Sequence, residues 1–281
     1  MVMIIILIGV LGVIFGSFVN ALVWRLHERE KLAGRKSKQA IQRRKELSIM
    51  RGRSMCTHCN HELAPRDLVP VLSWVMLHGK CRYCRSVVSW QYPIVELLTG
   101  VIFVVSYIAW PLSFSGVGLF QFVLWLAFLV GFMALAIYDI RWFLLPDRIV
   151  LPLTLLAVLQ VVVTAIWQRN FNSFWEPIVA AVIIFGLFWI LFQVSKGAWI
   201  GGGDVKLAGL LGLLAATSLK AFLVIFFASL IGTLVSIPLL LRGKQGLKLH
   251  VPFGPYLLTA TVTVVLYGTP MIRWYQNLLL H

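Results

Sequence analysis

Long apolar runs recur along the whole chain, and no other feature constrains its folding more. They fall at about 2–23, 91–110, 117–138, 148–168, 177–195, 205–217, 219–241 and 253–271. All but 205–217 reach the roughly 18 residues that mark a spanning helix. A soluble fold has nowhere to put them: 60% of the 281 residues are hydrophobic and 12% charged, against about 45–50% and about 25% in soluble domains. Disorder needs low hydrophobicity, and four Cys are too sparse for a disulfide scaffold. The expectation is an all-α polytopic membrane protein of about eight transmembrane helices. At 205–217 a tilted helix, or one that starts inside a cavity, is expected.

Charge sets the topology. Of 25 Lys and Arg, 15 fall between Arg25 and Arg85, with five of the ten acids. The first run has its basic residues after it, beginning at Arg25, which is the wrong polarity for a cleaved signal peptide. Eight spans with both termini outside put 22 Lys and Arg in cytoplasmic segments and 3 (Arg169, Lys220, Arg273) on the other side, as the positive-inside rule requires. That rule accounts for the net charge of +15 without nucleic acid, which is not expected as a partner. The lipid bilayer is. Three parts follow: a first transmembrane helix at 1–23, a basic cytoplasmic insert at 24–90, and a transmembrane core at 91–281. Residues 28–53 read as a solvated helix or arm lying on anionic lipid.

All four cysteines lie in the insert, as Cys56-Thr57-His58-Cys59 and Cys81-Arg82-Tyr83-Cys84. The compartment is reducing, so disulfides are disfavoured. Paired C-x-x-C knuckles at this separation close a tetrahedral thiolate site around Zn²⁺, and four Cys leave no open position, so the metal would be structural. His58, His61 and His78 are alternative ligands, more simply read as surface residues.

Past Glu96 only four acids remain: Asp139, Asp147, Glu176 and Asp204. An ionisable group within a span is costly and functional by default. Glu176 falls in an outside loop and reads as solvated. Asp139 and Asp204 both fall at cytoplasmic span ends, where they can meet across the bundle. Two carboxylates in one site share a proton, hold a water and can protonate a leaving amine, which is aspartic-protease chemistry. Gly201, Gly202 and Gly203 let the backbone leave helical geometry beside a substrate. Each residue has a plainer reading: Asp139 paired with Arg141, Asp204 as a helix N-cap, Asp147 after Pro146 as a cap of the next span.

These residues resemble the bacterial type IV prepilin peptidases, bifunctional leader peptidases and N-methyltransferases. Gly16-Ser17-Phe18-Val19-Asn20 with Arg25-Leu26 looks like the first-span signature. The two cysteine pairs, with Pro70–Trp74 and Gly79-Lys80, look like the cytoplasmic zinc domain. Ser89–Leu97 matches the second-span entry, Asp139 with Leu145-Pro146-Asp147 the first catalytic motif, Gly201–Lys206 the G-x-G-D motif, and Pro252-Phe253-Gly254-Pro255 a C-terminal element. Two features depart from the pattern: Thr57 stands where Pro often follows the first Cys, and the basic stretch at 28–53 is long.

The resemblance implies a two-aspartate endopeptidase of the bacterial inner membrane, with Asp139 and Asp204 as the catalytic pair. Pro146, Asp147, Gly201, Gly203 and Lys206 would support them. Lys206 would bias the protonation of Asp204 or orient the substrate. Substrates would be prepilins or pseudopilins of type IV pilus and secretion systems, cleaved after a Gly. The new N-terminus would be methylated from S-adenosylmethionine. No glycine-rich fingerprint for that donor is present, so its site is unknown. Gly16–Asn20, Arg25 and Glu96 are the residues the resemblance suggests. A proton- or cation-coupled transporter using the same acids is the alternative of another class; against it stand the missing inverted repeat and the placement of both acids at one face. A zinc-ribbon docking protein with a passive anchor leaves the polar motifs at span ends unexplained.

Overall fold

The computed structural model describes residues 1–35, 37–48, 52–242 and 251–279. Lys36, Arg51, Lys244 and Lys248, all counted above as cytoplasmic cations, lie outside the described residues. Among the described residues the fold is all-helical, and seven helices are long and apolar enough to cross a membrane. The chain divides into two compact units, Met1–Ile108 and Ala109–His281. The sequence reading cuts it elsewhere, grouping 91–110 with the later spans.

The first unit is built on α1 (Val2–Lys31) and α4 (Gln91–Ile108), which pack together. Small residues set their approach. A Cβ on Gly12 would lie 2.8 Å from the Gly100 Cα, and one on Gly16 2.6 Å from the Glu96 Cα. This G-x-x-x-G spacing lets backbones meet closely in lipid, where packing replaces the hydrophobic effect. Hydropathy ends near Val23, yet α1 continues to Lys31. Its last turns are made of good helix formers, with Lys31 bonded to Glu28 at 2.8 Å. Between the two spans lie α2 (Lys38–Glu46), capped by the Ser37 hydroxyl on the Ala40 N–H, and the five-residue α3 (Leu72–Met76).

The second unit holds α5 (Gly116–Trp142), α6 (Asp147–Gln168), α7 (Asn172–Ser195), α8 (Gly202–Ala215), α9 (Ser218–Arg242) and α10 (Gly254–Leu279). The short run at 205–217 becomes α8, whose 14 residues span only about 21 Å at 1.5 Å per residue. It is stable because protein surrounds it: α6, α7, α9 and α10 all pack on it. Val205, Leu207, Leu210, Leu211 and Leu214 are buried. A helix apolar on every side belongs in such a position.

Candidate active site and metal centre

The site lies at one end of the second unit. Asp139 is in the last turn of α5 and is 6% exposed. The helix ends three residues on, where Phe143 takes a left-handed conformation (φ 54°) and its N–H bonds the Asp139 carbonyl at 2.8 Å. The turn Phe143–Leu145 leads to Pro146, the N-cap of α6, whose fixed φ suits that position.

Asp204 is the third residue of α8. Its Oδ2 accepts from the Gly201 N–H at 3.3 Å, so Gly201 and not Asp204 is the N-cap of α8, and Asp204 reaches back to it from the third position. The other oxygen does not share that role: Asp204 Oδ1 is buried with no hydrogen-bond partner. A buried acceptor with no protein partner can receive a bound group or water. Asp139, the Phe143–Leu145 turn, Asp147, Gly201–Asp204 and Lys206 line a single cavity of 290 Å³. Within it the charges of Asp139 and Asp204 act on each other.

Gly203 is needed for close approach: a Cβ there would lie 2.9 Å from the Leu145 Cβ. The pairing of Asp139 with Arg141 is not what the structure contains. Arg141 lies over the Trp142 ring, 5.8 Å from its centroid, within cation–π range. Lys206 directs its ammonium to both oxygens of Asp147 at 2.8 Å. The pair is about half exposed on each side, so Lys206 sits at the rim. Glu176 is exposed, but it lies in the second turn of α7 and not in a loop.

One participant went unread in the sequence. Asp139 Oδ2 accepts a 3.0 Å hydrogen bond from the backbone N–H of Gly254. Gly254 is the first residue of α10, so its N–H has no partner within the helix and is free to serve another acceptor. A Cβ at this position would lie 2.5 Å from the same oxygen. The signal was present as Pro252-Phe253-Gly254-Pro255 at a span start, but a main-chain donor leaves no side-chain mark.

In the insert, the four Cys sulfurs lie within 4.8 Å of one another, and Cys56 Sγ is 3.8 Å from Cys84 Sγ. Zn–S bonds of about 2.3 Å in a tetrahedron put sulfurs about 3.8 Å apart, so the donor set fits zinc. The knuckles share one backbone design. The N–H of Asn60 bonds the Cys56 carbonyl and that of Arg85 the Cys81 carbonyl, each at 3.0 Å. Both residues adopt positive φ, 57° and 58°.

The thiols are unequal without a metal. Hydrogen bonds from the Ser86 hydroxyl and backbone push Cys84 down to about 6. Cys59 is pushed up to about 11: the His61 N–H opposes the rise, while burial and the Cys56 and Cys84 sulfurs drive it. Four neighbouring sulfurs cannot all carry charge alone, and a dication removes that conflict. His61 instead stacks on Tyr83 with ring centroids 3.8 Å apart.

The residues suggested for a methyl donor are engaged with protein partners. Asn20 donates to the Tyr92 carbonyl and accepts from Gln91. Arg25 donates to the Ser48 carbonyl. Glu96 accepts from the Val71 N–H at 2.7 Å. As they stand, these groups tie the first unit together.

A helical membrane protein with a carboxylate-lined cavity and a four-cysteine cluster is the class that fold and site define. Comparison with known proteins narrows it. Residues 10–110 match the bacterial peptidase A24 N-terminal domain and residues 125–237 the type IV leader peptidase family. A protein of Aeromonas hydrophila is 32% identical, over 96% of this chain and 92% of its own. One of Pseudomonas aeruginosa is 30% identical over 94% and 91%. One of Bacillus subtilis is 30% identical over 83% and 89%. All three are named prepilin leader peptidase/N-methyltransferase. No solved structure matches the chain. The chain belongs to the type IV prepilin leader peptidase family, peptidase A24.

Proposed function

We propose that this protein removes the leader from type IV prepilins and pseudopilins by a two-aspartate mechanism and N-methylates the new terminus. The observation that carries the peptidase reading is the shared cavity, with Asp139 held by the Gly254 N–H and one Asp204 oxygen left unpartnered. One carboxylate takes a proton from a water placed between the pair, and that water attacks the scissile carbonyl. The other carboxylate gives its proton to the carbonyl oxygen. When the tetrahedral intermediate collapses, the C–N bond breaks and the leaving amine takes up a proton. Gly201 and Gly203 keep the wall low for an extended substrate, Pro146 and the Phe143 turn hold Asp147 at the rim, and Asp147 fixes Lys206 there.

The same reading makes the cluster of Cys56, Cys59, Cys81 and Cys84 a structural zinc site. The charge asymmetry supports an orientation with the insert and cavity at the cytoplasmic face of the inner membrane and both termini outside. S-adenosylmethionine would supply the methyl group, and its site is not assigned to residues here. The second unit would be the proteolytic core and the first unit would carry the insert.

The test is cleavage of a prepilin with a basic leader and a Gly boundary, by purified protein in vesicles, followed by intact mass with and without S-adenosylmethionine. General acid–base groups contribute about 10²–10⁴ each, so Asp139→Asn and Asp204→Asn should each lower the rate at least about 100-fold while remaining folded. Normal cleavage by either variant overturns the assignment.

A further inference from the structure

The insert carries an apolar face that the peptidase reading does not use. On α3, Leu72 is 60%, Val75 57% and Met76 76% exposed, and so are Val87 (82%) and Trp90 (67%), which flank the Val88 carbonyl that the Trp74 indole N–H of α3 bonds. A soluble surface does not gather large apolar side chains this way without a partner. We propose that this face is a monotopic membrane anchor, seating the zinc knuckles on an anionic lipid interface.

Two tethers set its height. The first is Trp90, which packs tilted against Trp74 of α3 with centroids 4.1 Å apart and immediately precedes α4. Helix α4 has only 18 residues, about 27 Å, slightly less than a hydrocarbon core of about 30 Å. It has no length to spare, so its first turn lies at the membrane boundary and Trp90 with it, the level where tryptophan concentrates.

The second tether is deeper. The N–H of Val71, the residue before α3, donates to Glu96, which is five residues, or about 7.5 Å, into the span. Val71 holds φ 61°, a region costly for a β-branched residue, and the Glu96 bond compensates for it. With its N-terminus bonded to a residue inside the span and its Trp packed against the boundary tryptophan, α3 lies along the interface. Its exposed apolar side chains are therefore placed at lipid rather than water.

Charge identifies the lipid. The segment that carries α3 and the second knuckle exposes Arg66, Lys80 and Arg85. The nearby acid, Asp67, is taken up by Arg82 at 2.6 Å. Exposed basic side chains together with an apolar face are the pattern of interfacial anchors on anionic headgroups.

The test places a photoreactive benzophenone amino acid at Met76, and separately at Val87, in the full chain. Vesicles of phosphatidylethanolamine with phosphatidylglycerol are compared with phosphatidylcholine alone. Leu7, exposed on the first span, serves as the lipid-facing control. Lipid adducts are expected at Met76 and Val87, several-fold more abundant with phosphatidylglycerol. No lipid adduct at either site while Leu7 gives one, or yields independent of headgroup charge, would overturn the proposal. So would adducts that move from lipid to an added prepilin, since the face would then be a substrate dock. None of these outcomes depends on cleavage activity.

Discussion

Replacing Gly254 with alanine isolates the main-chain contact to Asp139. The added Cβ would lie 2.5 Å from Asp139 Oδ2, and the Leu145 Cδ2 stands at 3.5 Å on its other side. Ordinary contact begins near 3.4 Å, so the carboxylate must withdraw by nearly an ångström, and its 3.0 Å bond to the Gly254 N–H is stretched or lost. A hydrogen bond to a charged group is worth about 1.5–3 kcal/mol. A displacement of about 1 Å in a reacting group costs up to about 100-fold in rate. The two magnitudes agree on a fall in kcat of roughly 10- to 100-fold, with KM little changed because Gly254 lies beneath Asp139 rather than at the rim.

The assay is prepilin cleavage in vesicles at saturating and limiting substrate. Gly186→Ala is the matched control. A Cβ there meets nothing within 4 Å, and alanine in a helix gains up to about 1 kcal/mol over glycine. Its kcat should equal wild type. Wild-type kcat in Gly254→Ala would refute the claim that this donor positions the carboxylate.

Other perturbations separate the structural roles. Gly16→Val puts carbon atoms into the Glu96 backbone and should destabilise the first unit by about 1–3 kcal/mol, visible as a lower melting temperature in detergent. Cys56→Ser should drop bound zinc well below one ion per chain by metal analysis, and lower the melting temperature, without altering the residues around Asp139 and Asp204. Lys206→Met should cost less than about 1 kcal/mol of stability, since its bond to Asp147 is about half exposed; a larger loss in the melt would show that the pair holds α6 and α8 together. Asp67 resists burial's upward push because Arg82 and Tyr83 hold its carboxyl below the ordinary 3.8. Its contribution is therefore present above that value and lost as pH falls through the lower folded value; Asp67→Asn should remove this acid limb from the insert's pH-stability curve.

The sequence carried the fold wherever hydropathy and helix coincide, and lost it where they part. The runs at 117–138 and 148–168 become α5 and α6 with ends moved by a few residues, since lipid thickness sets both lengths. Helix α1 outruns its apolar stretch because charged helix formers continue the hydrogen-bond ladder into water. Asp139 and Asp204 were legible as candidates from the rarity of acids, and the cavity they share rests on packing that composition cannot express. Lys206 was read as biasing the protonation of Asp204 or orienting the substrate. On a helix, residues two apart do not face each other, and the nearest acid across the groove is Asp147. Gly254 was legible only as part of Pro252-Phe253-Gly254-Pro255, and its role as a main-chain donor to Asp139 left no side-chain mark.

On the proposed two-aspartate reading, the short α8 would let water reach a peptide bond in a bilayer. A helix of about 21 Å cannot reach both faces of a hydrocarbon layer of about 30 Å. Roughly 9 Å must be made up by other protein or by solvent. At its far end α8 closes on Ala216 in a left-handed conformation and runs at once into α9 through Thr217, so little of that gap is placed there. At its near end stand Gly201 to Gly203, with no side chains to fill the space, and beyond them the cavity bounded by Lys206 and Asp147. Non-helical backbone at membrane depth is tolerated where it lines a water-filled recess. A full-length span carrying a bulky residue at position 203 would meet Leu145 and close that recess. On the two-aspartate reading proposed above, the short reach of α8 would bring solvent, substrate backbone and the Asp204 carboxylate to one level.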